Sequence, residues 1–289
     1  MRATIAAPML LSGLAACSAL PGLVTSAKDA VVAEFDTCKT EDAGPFVLMG
    51  TVLRTDATSG EVTLANASGR MTPDGALSRV FLGLEALDTS PTSTGFSSNR
   101  DVSGTSLTNV TSPTAGLAAY DLTFPSGTAT AAGSLVMGVP SAGTAVPTTG
   151  QTVFSGPIRM RADLSGATTA EATGTITVTA GYASQSLTAT VTDLGPTAAF
   201  SKLTWTGLAP CNTRFGSAGR GTVQALDARG RRVNLVGASA TSPLGTAILS
   251  GVFYGPRGDA SAPRSVGGVL LLSGDTGTVS GVFLADAQN

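Results

Sequence analysis

The sequence contains no histidine. That absence removes the usual general base of Ser-His-Asp and Cys-His hydrolases. It also removes imidazole from any zinc site and from haem ligation. Charge is scarce too: Asp, Glu, Lys and Arg make up 12% of the 289 residues, where roughly 25% is common in soluble proteins. Helices built on repeating faces of Glu, Lys, Arg and Leu are therefore poorly supported. With 17 basic residues against 19 acidic ones the formal net charge is −2. No nucleic-acid partner is expected, because the chain lacks the basic footprint such partners need. No convergent set of acid, base and nucleophile stands out, so the composition points away from an enzyme, and no cofactor or metal is implied.

What the chain has instead is hydrophobic material (42%), 36 glycines and a surface stock of Ser and Thr. Hydroxyls in place of charges, with Gly at turn positions, favour strands. The expected fold class is all-β.

The amino terminus reads as an address. Arg2 is the only charge before a mostly apolar stretch from Ala3 to Ala16, interrupted by Pro8. It falls well short of the ~20 apolar residues that span a bilayer, and it has the layout of a secretory signal. Its end, Leu14, Ala15, Ala16, Cys17, resembles the lipobox of bacterial lipoprotein precursors. That resemblance implies cleavage before Cys17, a lipidated Cys17 and a membrane reached through acyl chains, more than one of which anchors stably. The alternative is an ordinary small-residue cleavage site with an unrelated Cys downstream. Ser18 follows the cysteine, which by resemblance to enterobacterial lipoproteins implies the outer membrane, on its surface or its periplasmic face. Residues 1–17 are thus the expected signal, and 18–34, without strand alternation, the expected flexible tether.

Three cysteines are present: Cys17, Cys38 and Cys211. Setting aside the lipidated one leaves two, in a compartment that permits disulfides. Their pairing as Cys38–Cys211 would close a long loop and contribute about 4–5 kcal/mol in the chain-entropy model. Two free buried thiols are the alternative.

Charge divides the remainder. From Ser18 to Gly150 twelve acids face six bases; from Gln151 to Asn289 seven acids face ten bases. The turn-rich stretch from Pro140 to Gly150 lies between. The expected organisation is a smaller β-rich unit over 35–145 and a β-barrel over 146–289. In the second unit, Thr175 to Thr179 and Ser186 to Thr192 alternate strictly, which puts Ile176, Val178, Leu187, Ala189 and Val191 on one buried face. Strands are expected at 151–163, 170–180, 185–193, 199–208, 219–227, 244–254, 266–273 and 278–285, with a short arm at 231–236. Eight hairpin-connected strands suit an antiparallel up-and-down barrel, with a two-sheet sandwich as the competitor. In the first unit the strands expected are 46–54, 61–64, 80–84, 117–124 and 134–139. Residues 88–114, rich in Ser, Thr and Asn, read as a long loop.

The last strands carry a pattern: Gly251, Val252, Phe253, Tyr254, Gly255, Pro256, then Val266, Gly267, Gly268, Val269, then Gly277 through Gly281, Val282, Phe283, Leu284, Ala285. It resembles the carboxy-terminal signature of the transferrin-binding protein B-like β-barrel family, which includes factor H binding protein-like lipoproteins. Ser265 stands where that signature usually has Glu, and Leu270 where it has an aromatic. The resemblance covers about 151–289 and implies a handle-like β unit before the barrel. In function it implies a lipid-anchored binding protein that captures a host protein or solute through barrel loops. A structural or adhesive outer-membrane lipoprotein with no discrete ligand is the alternative. Fold alone does not name a ligand.

One charge cluster is a candidate contact. Arg214, Arg220, Arg229, Arg231 and Arg232 share a short stretch with a single acid, Asp227. Arg docks carboxylates and phosphates with two parallel bonds, so Arg229, Arg231 and Arg232 are the expected partner-binding residues; the bland reading is a solvated hairpin end around Gly230. Arg257, Gly258 and Asp259 form an RGD tripeptide best explained as turn chemistry.

Overall fold

The computed structural model describes residues 31–32, 47–55, 62–73, 76–83, 85–114, 116–126, 129–142, 145–164, 170–195, 200–216, 222–232, 246–255, 263–274 and 277–288. The first sheet comprises β1 (Val31–Val32), β2 (Val47–Thr55), β3 (Val62–Met71), β4 (Leu77–Leu82), β5 (Glu85–Thr92), β6 (Gly95–Ser98), β7 (Ser103–Ser106), β8 (Ala118–Ser126) and β9 (Ala129–Gly138). The second comprises β10 (Gln151–Leu164), β11 (Ala170–Gly181), β12 (Ser186–Thr192), β13 (Lys202–Cys211), β14 (Arg214–Gly216), β15 (Thr222–Leu226), β16 (Thr246–Tyr254), β17 (Ser265–Gly274) and β18 (Gly277–Ala287).

Both sheets close. Strands β2 to β9 pair with their chain neighbours, and β2 pairs with β9 to complete an antiparallel ring of eight. In the second sheet β10 pairs with β18 in the same way. There β14 and β15 lie along one side of β13, with Cys211 opposite Arg214 and Thr206 opposite Thr222. Together they fill one of the eight positions. The sandwich alternative is excluded, and the strand expected at 219–227 is this interrupted pair.

Alternation forms the second barrel where only one face is covered. Ile176, Val178, Leu187, Ala189 and Val191 are all buried, packed around Trp205, Phe215 and Phe253 in a single core. A fully buried side chain of this kind contributes about 1.5–3 kcal/mol. The turn between β11 and β12 places Gln185 at φ 47°, and the turn between β13 and β14 places Asn212 at φ 53°. Asn tolerates this left-handed region; for Gln it is unusual.

The first unit is more regular than its sequence suggests. It closes as fully as the second, and the stretch expected as a long loop supplies β5, β6 and β7. These strands are short and hydroxyl-rich, and they are held by a few apolar anchors. Leu87, Phe96 and Val102 are buried in the amino-terminal core, and Phe96 stands edge-on to Tyr120 with centroids 5.2 Å apart. Thr and Ser outside the barrel suit a pleated, half-exposed surface. The end of the span expected as a tether also departs from that reading, since Val31 and Val32 pair in parallel with Thr63 and Leu64.

The barrels pack wall to wall. Leu53, Leu64 and Val136 of the first form one cluster with Ile248, Val269, Leu271, Val282 and Leu284 of the second. Strands β16, β17 and β18 are therefore covered on both faces: Leu249, Leu270 and Phe283 point into the barrel core, while Ile248, Leu271 and Leu284 point into the seam. This accounts for the unbroken apolar runs near the carboxy terminus, which a strand exposed on one side would not show.

Candidate functional site

The seam carries polar groups as well as apolar ones. Arg214 opens β14 and is buried, 2% exposed. Its Nη1 donates to Gly50 O at 3.1 Å and to Asn66 Oδ1 at 3.0 Å, both in the first barrel. Arg214 was expected with the exposed arginines; the β13–β14 turn instead directs it into the seam. Beside it Tyr254 donates its hydroxyl to Met49 O at 3.2 Å. Burial pushes the Tyr254 phenol far above its usual range, and the Arg214 charge pulls it down only in part.

At one margin of the seam a carboxylate gathers hydroxyls. Asp286 Oδ1 accepts from Ser112 and Ser265, each at 2.5 Å. With Ser265 donating to Asp286, the Thr114 hydroxyl shares its proton between Ser265 Oγ and Asp286 Oδ1, the latter at 3.2 Å. The loop before β8 is thereby fastened to the second barrel. Ser265, a departure from the family signature, is fully buried here. With no histidine in the chain, this hydroxyl–carboxylate set has no imidazole base to work with.

At another margin the barrels leave a cavity of about 440 Å³, lined by β2, β8 and β9 on one side and β10, β11 and β18 on the other. Arg159 sits in it. Its Nη1 donates to Asp121 of the first barrel, and its Nη2 to both Glu171 oxygens at 3.1 Å. Burial alone would lower the Arg159 pKa; the bonds to Asp121 and Glu171 outweigh it and hold the guanidinium above its ordinary value. Arg161, two residues along the same face, pairs with Asp163 at 2.9 Å. Sequence reasoning missed this group. Its signal was the run Arg159, Arg161, Asp163 on the outer face of a strand whose neighbour presents mostly threonines.

The arginine hairpin stands apart. Arg229, Arg231 and Arg232 are exposed, and Arg232 bridges back to Leu226. Arg231 is engaged by Asp227 at 2.8 Å. Asp227 also accepts the backbone N–H groups of Arg229 and Arg231 at 2.8 Å. The Arg231 backbone bond leads these in holding the carboxyl below its usual range. Of the other expected positions, Cys211 ends β13, half-exposed, whereas Cys17, Cys38, Arg220 and the RGD tripeptide lie outside the described residues. Among the described residues no group of three or more His, Cys, Asp or Glu could hold a metal ion, and no helix is long and apolar enough to cross a membrane.

No family model and no curated protein matches the chain. Solved structures do. A single-site mutant of the vaccine antigen transferrin binding protein B from Haemophilus parasuis Hp5 aligns with TM-score 0.53 and 14% identity, over 83% of this chain and 45% of that one. Isotype 1 transferrin binding protein B from serogroup B Neisseria meningitidis aligns with TM-score 0.51 and 16% identity, over 83% and 44%. The fold is that of transferrin binding protein B. The likeness is one of fold, and the chain spans less than half the length of these structures.

The transferrin-binding-protein-B-like fold gives the carboxy-terminal signature its physical sense. Gly251 of β16 pairs with Gly268 of β17. A Cβ on Gly268 would lie 2.0 Å from Ser250 O, and one on Gly251 2.4 Å from the Phe215 ring. Side chains at these positions would force the strands apart. Phe253 and Phe283 fill the barrel core, and Leu270 takes a core position beside them.

Proposed function

We propose that the chain is a lipid-anchored cell-envelope binding protein that captures a host protein or solute through its barrel loops. The observation that carries this reading is the pair of closed barrels packed as one body, a fold whose solved counterparts are named for binding transferrin. Closed barrels have no free sheet edges, so recognition falls to loops and to the clefts between barrels. The lipobox-like residues ending at Cys17 support an anchor in the outer membrane, with the residues from Ser18 up to β1 as linker ahead of the two barrel units. A Cys38–Cys211 bridge is supported by the disulfide-bonded state of Cys211. It would tie the region before β2 to the second barrel. The exposed Arg229 and Arg232 are the contacts proposed for an acidic partner, with Arg231 holding the turn that presents them.

Pull-down from host serum and from growth medium, using the protein begun at Ser18, tests the reading. A specific partner at fixed stoichiometry is expected. Weak bulk adhesion alone would make the chain a structural or adhesive lipoprotein instead. Protease shaving of intact cells distinguishes surface exposure from periplasmic retention.

A further inference from the structure

We infer that the cleft between the barrels binds a small zwitterion, an α-amino acid or a short peptide carrying both an ammonium and a carboxylate. Its volume, about 440 Å³, lies within the roughly 300–1,000 Å³ of small-molecule sites. Its lining charges balance: Asp121 and Glu171 against Arg159 and Arg161. A site built for an anion or a cation would show one sign in excess; this one alternates. Arg159 stands between the two carboxylates, so both signs are already held at ion-pair spacing on a fixed scaffold. Its cost of assembly is met by the fold, which is what preorganisation means for affinity.

The residues divide the ligand between them. Arg161 is half-exposed and gives Nε and Nη2 to the two oxygens of its near neighbour Asp163, so its Nη1 remains to donate to a ligand carboxylate. Asp121, 41% exposed at its side chain, spends one oxygen on Arg159 and can accept an ammonium with the other. Thr55, Thr123, Ser134 and Ser280 add hydroxyls for the peptide-like atoms, and Leu53 and Val282 an apolar patch. The inference stands apart from protein capture by the loops, and either can fail alone.

Saturation-transfer NMR on the full chain tests it, with L-amino acids and the dipeptide Ala-Ala as probes beside their N-acetyl and amide analogues. Saturation of at least one zwitterion is expected, with loss in both blocked analogues. Arg161→Gln and Asp121→Asn should each weaken binding about tenfold or more, the loss of one charge-assisted bond. Thr123→Trp, at an exposed position on the cleft wall, should abolish binding by filling the space while leaving the barrel folded. No saturation of any zwitterion, equal binding of blocked analogues, or binding indifferent to all three substitutions would overturn the inference.

Discussion

Arg214, on the second barrel, donates to the backbone carbonyl of Gly50, on the first. The bond joins residues 164 positions apart and lies out of water. It makes the orientation of the two barrels a matter of hydrogen-bond geometry as well as of apolar contact.

Replacing Arg214 with Ala should therefore loosen the pair. Gly50 O and Asn66 Oδ1 would lose their charged donor inside the seam, a cost of about 2–4 kcal/mol with the cavity included. Trp205, the single tryptophan, sits in the core of the second barrel and reports that barrel alone. Denaturation followed by its fluorescence should coincide with far-UV circular dichroism in the parent and separate from it in the variant. Coincident curves with an unshifted midpoint would show that Arg214 does not couple the barrels.

Gly50→Ala should also be costly. A Cβ there would lie 1.9 Å from Val136 O, a backbone atom of β9. Relief requires β2 and β9 to part, which we expect to cost about 3 kcal/mol. Gly150→Ala is the control, since nothing lies within 4 Å of it and only its φ of 82° is strained. That variant should lose about 1–2 kcal/mol, and equal losses at the two sites would refute the clash.

The arginine hairpin should respond to acid. Asp227 has its folded pKa depressed, the Arg231 backbone bond being the foremost cause. A depressed carboxyl stabilises above its unfolded pKa, and that contribution fades as pH falls through the folded value. Turn order should thus be intact at neutral pH and fade below the normal carboxylate range. Amide exchange at Arg229 and Arg231, corrected for intrinsic rates, reads this directly; protection unchanged into strong acid would contradict it.

If an acidic partner docks at this hairpin, Arg229→Ser with Arg232→Ser should slow association and flatten its salt dependence, because exposed charges steer encounter within a Debye length of about 8 Å. Stability should barely change, as both side chains are exposed. Unchanged rates and salt slope with an identified partner would leave the arginines as a solvated turn.

The proposed Cys38–Cys211 bridge predicts no titratable thiol in the unfolded, unreduced protein begun at Ser18. Two thiols would rule it out.

Much of the second barrel was legible because one-sided burial writes itself as alternation: Thr175 to Thr179 states both the strand and its inward face. The first barrel was less so. Strands β6 and β7 have four residues each, too few for a period to emerge. The seam was hidden for a related reason. A run such as Val269 to Leu272 says that both faces are covered but not by what. Arg214 was read among surface arginines because spacing alone cannot tell a buried guanidinium from a solvated one. The pairing of Arg159 with Asp121 depends on two strands brought together only when both barrels are complete.

The doubly covered strands also bear on how the chain can be divided. A fragment holding only β10 to β18 would turn Ile248, Val269, Leu271, Val282 and Leu284 out toward water. Such a wall seeks another like it, so the severed half should dimerise or aggregate. The linker from Val139 to Gly150 is thus a poor place to cut for expression of one half: each barrel acts as the other's chaperone.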